Sequence, residues 1–170
     1  MTPVTCASIL EELRTKATAR TKATYLRHGV AEPVLGVLTG EMEKVRKRLR
    51  TNHPLARELW NTEVFEARYL ATLIADGKLI SEVELAAWAE SVKDPASAEA
   101  LAGLAVRTPF RTPFIQAWTS SPREPLQRAG WSLLGRTLNQ QADYPEADAR
   151  TWVARIEGIS IRLPTGSGAA

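Results

Sequence analysis

The chain has 170 residues, a formal net charge of +3 at pH 7 and a sequence pI near 9.2. This length fits one domain, and the mildly basic charge permits nucleic-acid binding without requiring it. No run approaches the roughly 18 apolar residues of a membrane helix, so we expect a cytoplasmic protein without membrane partners. The single cysteine, Cys6, cannot form an internal disulfide, which fits a reducing compartment.

The first half of the chain predicts only helices. Apolar residues at helical spacing predict one helix over 8–26 and a second over 33–50. Two short helices follow. The first begins at Asn52 or His53 with Pro54 in its first turn, where the missing N–H costs nothing, and a break at Asn61 and Thr62 separates it from the second.

The second half continues this pattern. Ser81 and Glu84 have the spacing of a capping box, and Asp94 followed by Pro95 begins another helix. We find no alternating run that predicts a strand. The sequence therefore predicts an all-α fold of antiparallel helix pairs, with a single domain over 1–158 and a flexible tail over 159–170. Three later helices are predicted to begin near Thr112, Ser121 and Pro145.

Spaced phrases connect this sequence with a known family. Residues 55–71 read LARELWNTEVFEARYLA, and they follow YLRHGV at 25–30 and LGV at 35–37. Together these phrases resemble the signature of the DNA alkylation repair family, over roughly residues 20–140. The resemblance implies a HEAT-like helical-repeat solenoid that binds duplex DNA on a basic concave face. Members usually continue with further helices, so we expect a divergent member with a short C-terminus.

The family's glycosylases remove cationic alkylated purines. Their chemistry needs a carboxylate beside the oxocarbenium-like transition state, two aromatic walls and an arginine for the neighbouring phosphate. The resemblance places Glu99, in SAEAL, at the position of the catalytic aspartate, and Arg128, in LQRAGW, at that of the arginine. Pro95 stands where catalytic members have the first tryptophan, and the second aromatic wall lies in the helices that we expect to be missing. We therefore expect weak or no glycosylase activity.

The densest basic run covers residues 43–50. Lys44, Lys47 and Arg48 lie roughly on one helical face there, and such a face can neutralise DNA phosphates. The alternative is a solvated face balanced by Glu41 and Glu43. A later group of basic residues supplies Arg111 as another candidate DNA contact; its members are Arg107, Arg111, Arg123, Arg128 and Arg136.

Other conspicuous residues have structural interpretations. His28 and His53 lie on different predicted helices without nearby cysteine or paired acids, so we expect no metal site, and no motif implies a cofactor. Glu66 and Arg68 cannot share one helical face, and they are predicted to pair with adjacent repeats. Four tryptophans are predicted to pack in the core: Trp60, Trp88, Trp118 and Trp131.

Three functional classes remain open on the sequence alone. The first is a DNA glycosylase that acts on alkylated purines. The second is a DNA-binding relative with little or no catalysis, which the basic residues favour. The third is a helical scaffold for protein–protein interaction without catalysis.

Overall fold

A computed structural model describes residues 4–140, 150–152 and 154 of the chain. The described part contains no β-strand, which confirms the predicted all-α fold. None of its helices is both long enough and apolar enough to cross a membrane. Its helices are α1 (Cys6–Lys16), α2 (Ala19–Arg27), α3 (Thr39–Leu49), α4 (His53–Trp60), α5 (Phe65–Ile74), α6 (Glu82–Glu90), α7 (Pro95–Ala105), α8 (Arg111–Thr119) and α9 (Glu124–Gln140), and residues 150–152 and 154 are also helical.

The helices stack pair upon pair. Helix α4 packs along α5, α6 packs on α7, and α5 joins the two pairs through its contact with α7. Helices α3 and α1 extend the stack by packing on α5 and α4 respectively. The described residues up to Thr137 form one compact unit, and those from Leu138 belong to a second. The helix start predicted near Pro145, the predicted boundary at residue 158 and the tail over 159–170 lie outside the described residues.

The helix predicted over 8–26 is two helices in the structure. The backbone is extended at Ala17 and Thr18, so α1 ends and α2 begins there. The N–H of Thr18 donates to the carbonyl of Gly36 at 2.9 Å, and its Oγ1 accepts the N–H of Thr21 at 3.2 Å. Thr18 therefore both contacts the segment before α3 and caps the N-terminus of α2.

The prediction of a helix over 33–50 is also wrong for its first third, because α3 begins only at Thr39. The preceding segment is held by the carboxylate of Glu66, which is completely buried on α5. Its two oxygens accept the three consecutive backbone N–H groups of residues 35–37, at 3.0, 2.7 and 3.1 Å. Gly36 adopts φ +99°, a conformation that favours glycine. In a helix these three N–H groups would donate to backbone carbonyls of the preceding turn; here the Glu66 carboxylate accepts them instead.

The predicted helix starts at Asn52 and Asp94 are confirmed. Each side chain accepts the backbone N–H three residues later, at 3.2 and 2.9 Å. Ser81 accepts the N–H of Glu84 at 3.1 Å, but the Glu84 carboxylate accepts Nε of Arg57 at 3.0 Å and does not complete the capping box. Glu84 thus joins α6 to α4.

Three of the four tryptophans predicted to pack in the core are buried, namely Trp60, Trp88 and Trp118, whereas Trp131 is only partly buried. The rings of Trp60 and Trp88 stack with centroids 4.3 Å apart and planes inclined by 3°. The guanidinium of Arg68 lies over the Trp60 ring, 4.9 Å from its centroid. It also donates to the carbonyls of Trp60 and Ser91, both at 3.1 Å. Arg68 therefore binds backbone acceptors between α4 and α6, and the adjacent repeat supplies a carbonyl.

Candidate nucleic-acid interface

An open depression of about 440 Å³ lies where α5, α7 and α9 come together within the first unit. Its lining falls into three groups, which we name by their residues: small side chains of α7 (the floor), the α5 residues Tyr69 and Leu73 (the apolar wall), and the charged residues Glu99, Arg107 and Arg136 (the rim). We call it the central depression. It is lined by Tyr69 and Leu73 of α5, by Ala96, Glu99, Ala100, Gly103 and Arg107 of α7, and by Arg136 of α9.

Glu99 is an ion-paired carboxylate on this rim. It accepts hydrogen bonds from Arg136 Nη2 and from Ser132 Oγ, the latter at 2.8 Å. Burial raises the pKa of Glu99, but the hydrogen bonds from Arg136 and Ser132 and the charges of Arg136 and Arg128 outweigh it, so the pKa lies below its ordinary value. Glu99 is therefore ionised at neutral pH, and Arg136 compensates much of its charge.

Arg107 follows Glu99 by eight residues along the chain, also lines the depression and is held in place. Its Nε donates to the carbonyl of Gly103 at 3.3 Å, and its Nη2 donates to the carbonyl of Thr72 on α5. Burial lowers the pKa of Arg107, but a guanidinium remains protonated in proteins. Its Nη1 makes no hydrogen bond to the described residues. The structure thus presents a fixed cation with a free donor edge.

An aromatic row leads to the depression from α2. The rings of Tyr25 and Phe65 meet edge to face at 5.3 Å, and the rings of Phe65 and Tyr69 lie 6.3 Å apart. Tyr69 is half-buried, and its hydroxyl makes no hydrogen bond within the described part of the chain. Burial, followed by the charge of Glu43, raises the pKa of Tyr69, so the ring stays neutral. A neutral aromatic ring therefore forms part of the wall.

The predicted basic face on α3 carries its own counterions. Lys44 pairs with Glu41 at 2.5 Å, and Arg48 pairs with Glu12 of α1. Lys47 is exposed. The hydrogen bond from Arg46 lowers the pKa of Glu43 against the opposing effect of burial, and the charges of Arg46 and Lys47 lower it further. None of these three basic residues lines the central depression.

The other two predicted DNA contacts lie on α8 and α9. Arg128 is exposed, pairs with Glu124 at 3.3 Å and lies close enough to Glu99 to lower its pKa. Arg111 is the first residue of α8 and does not line the depression. The structure therefore brings Arg128 and Glu99 together and leaves the other predicted contacts elsewhere.

Sequence reasoning missed Tyr69 and Leu73 as site residues, since their spacing indicates only an apolar helix face. Arg107 and Arg136 appeared as members of a basic group without a specific role. One signal was available: Glu99, Gly103 and Arg107 are spaced four residues apart and so lie along one side of a helix. The position of Tyr69 depends on how α5 packs against α7, which no local pattern contains.

Neither histidine belongs to a metal cluster in the structure. Among the described residues, no group of three or more histidine, cysteine, aspartate or glutamate side chains could hold a metal ion. His28 follows the last turn of α2. His53 lies at the start of α4, with its Nε2 3.7 Å from Glu84 Oε2 and its Nδ1 buried without a hydrogen-bond partner in the described region.

Comparison with known proteins relates this architecture to a protein family and to a solved structure. Residues 9–157 match the family of DNA alkylation repair enzymes. No curated protein matches the chain. A solved structure, described as "a new family of proteins related to the HEAT-like repeat DNA glycosylases with affinity for branched DNA structures", is similar with a TM-score of 0.86 and 27% sequence identity. The similarity covers 95% of this chain and 70% of that chain, which confirms the predicted HEAT-like fold. Since the matched region spans most of the sequence, this chain belongs to the DNA alkylation repair enzyme family.

Proposed function

We propose that this protein binds DNA at the central depression, prefers branched DNA to continuous duplex and does not excise alkylated bases. The observation that carries the proposal is the grouping of Arg107, Arg128 and Arg136 with Tyr69 around one open surface. The similar structure with affinity for branched DNA supports it.

The arginines provide the affinity. Arg107 is already ordered by its bonds to two backbone carbonyls, so a phosphate that meets its free Nη1 does not have to immobilise a flexible side chain. Arg128 and Arg136 are both exposed, and each forms an ion pair with a surface carboxylate; Arg136 Nε also donates to Ser132 Oγ at 3.3 Å. Such pairs are worth little and exchange readily for phosphate. Each phosphate that is neutralised releases counterions, which makes binding strongly dependent on salt.

The shape of the surface favours branched DNA. A continuous duplex offers regular phosphates and keeps its bases stacked, so it makes no use of the apolar wall. A branch point interrupts the stack, so a base at the junction can contact an aromatic ring. Tyr69 and Leu73 therefore add binding energy only when the stack is interrupted.

The same residues argue against base excision. A glycosylase carboxylate must stabilise a developing cation, and the resemblance implies an aspartate for this role, whereas Glu99 is one methylene longer and so displaces its carboxylate oxygens. Pro95 occupies the start of α7, where the family resemblance implies the first aromatic wall. The cation–π stabilisation of that wall is therefore missing. If methylated DNA released a free base when incubated with the protein, the non-catalytic part of the proposal would be wrong.

The test is equilibrium binding to a four-way junction, a three-way junction and a duplex of equal nucleotide number, across a salt series. We expect the branched probes to bind about tenfold more tightly, which corresponds to about 1.4 kcal/mol. Arg107→Gln should weaken binding to every probe and reduce the salt slope by about 0.9. Arg14→Gln, an equal charge change on α1 away from the depression, is the matched control.

Two results would contradict the proposal. If branched and continuous DNA bound with equal affinity, the proposed preference for branched DNA would be wrong. No binding to any probe at low salt would remove DNA binding altogether, and the scaffold for protein–protein interaction would then be the better explanation.

A further inference from the structure

We infer that the central depression binds a nucleobase that has left the helical stack. The corresponding substrate class is DNA with an unpaired nucleotide at its branch point. This inference rests on the proposed DNA binding and goes beyond it, because it assigns the depression to a base and its rim to phosphates.

The lining of the depression fits a planar aromatic ligand better than a phosphate. Tyr69 and Leu73 form an apolar wall, and the small side chains of Ala96 and Ala100 form the floor with Gly103. The only cationic donors that the described residues bring to this lining are the two arginines of the rim, so a phosphate could bind to those but would make no use of the apolar residues. A base would exchange its hydration for contact with the tyrosine ring, an interaction that tolerates every base because each has a π-face. At about 440 Å³, the depression is within the roughly 300–1,000 Å³ typical of small-molecule sites.

The rim supplies the partners that the flanking backbone needs. Arg107 and Arg136 both line the depression, with the first fixed by two carbonyls and the second paired with Glu99. A nucleotide whose base enters the depression carries its own phosphates to the rim, where these cations can contact them. The arrangement thus combines an apolar interior with a cationic edge, as sites for single-stranded nucleic acid do.

An unpaired base is the form that this site can reach without breaking a base pair. Extracting a paired base costs the energy of unpairing and unstacking, and this cost is lowest for a base that is already unpaired. An unpaired base avoids this cost, so the depression should select nucleotides that are already free of a partner.

The experiment compares two three-way junctions that differ in a single chemical feature. Both carry two unpaired nucleotides at the branch, and in one of them these nucleotides are abasic. The phosphates are identical, so a difference in affinity reports the bases alone. We expect wild-type protein to bind the base-containing junction about tenfold more tightly.

Three substitutions separate the base contact from the phosphate contact. Tyr69→Ala should remove the difference between the two junctions, whereas Tyr69→Phe should keep it because the ring is retained. Arg107→Gln should weaken both junctions by the same factor. Circular dichroism on each variant establishes that the fold is intact, and Tyr69→Leu provides a second ring-free variant if Tyr69→Ala does not fold.

The outcomes distinguish this inference from the proposed function. If both junctions bind with the same affinity, the base site is wrong while DNA binding stands. The same conclusion follows if the ring-free variants keep the full preference for the base-containing junction. If wild-type protein binds neither junction, both proposals are overturned.

Discussion

Glu66 on α5 accepts the backbone N–H of Gly36 at 2.7 Å, across 30 positions of the chain. Together with its bonds to the two adjacent N–H groups, this contact fixes the segment before α3 against α5. Helix α5 also carries Tyr69, one turn further along, into the central depression. The buried carboxylate therefore joins the N-terminal helices to an element of the proposed binding surface.

Replacing Glu66 with alanine should be strongly destabilising. The substitution leaves three N–H groups without their acceptor, and hydrogen bonds to charged groups are each worth about 1.5–3 kcal/mol. We expect the free energy of unfolding in urea to fall by about 3 kcal/mol or more. Glu63→Gln, on an exposed side chain with only a 3.9 Å ion pair to Arg68, should stay within about 0.5 kcal/mol. Equal losses for the two variants would contradict this role of Glu66.

The sequence predicted features that act over a few residues. Asn52 and Asp94 cap helices through the N–H three residues away, so their spacing sufficed. Glu66 and Arg68 were expected to pair with adjacent repeats, but both bind backbone groups, and Glu66 does so 29 to 31 positions away. No local pattern contains such a partner, which is why the connection before α3 was predicted as helix. The same distinction applies to the candidate site. Glu99 could be proposed from the family resemblance, whereas the part that α5 plays in the site could be found only from how α5 packs on α7.

Two glycines of α9 should respond oppositely to alanine. A Cβ on Gly130 would lie 2.4 Å from the backbone nitrogen of Thr119 and 2.7 Å from the carbonyl carbon of Trp118. We expect Gly130→Ala to cost about 1–3 kcal/mol, since α8 must move away. A Cβ on Gly135 would meet no such neighbour within 4 Å, so Gly135→Ala should stabilise the helix by about 0.5–1 kcal/mol. Thermal unfolding of both variants tests the close approach of α8 and α9; a neutral Gly130→Ala would contradict it.

The Glu99–Arg136 pair should contribute to stability in a definite pH window. The pKa of Glu99 is lowered in the folded protein, so its contribution is fully present above the ordinary value of 4.5 and is lost as the pH falls through the lower folded value. Because the pair is half-exposed, we expect less than about 1 kcal/mol. Urea unfolding of wild type and Glu99→Gln should therefore differ at pH 6, and the difference should shrink as the pH falls below 4.5. If the difference in free energy of unfolding between the two proteins grew towards acid pH, the pKa of Glu99 would not be lowered in the folded state, and the prediction would be wrong.

Glu99→Gln should also tighten DNA binding. The carboxylate competes with phosphate for Arg136, and its neutral amide analogue leaves that cation uncompensated. One unit charge at about 4 Å in water is worth about 1 kcal/mol, so we expect the dissociation constant to fall about fivefold and the salt slope to steepen by about 0.9. Glu11→Gln, the same charge change on α1, should have a much smaller effect because Glu11 pairs with Arg14 away from the depression. A loss of affinity in Glu99→Gln would instead indicate that the carboxylate contacts the DNA directly, as a catalytic group would.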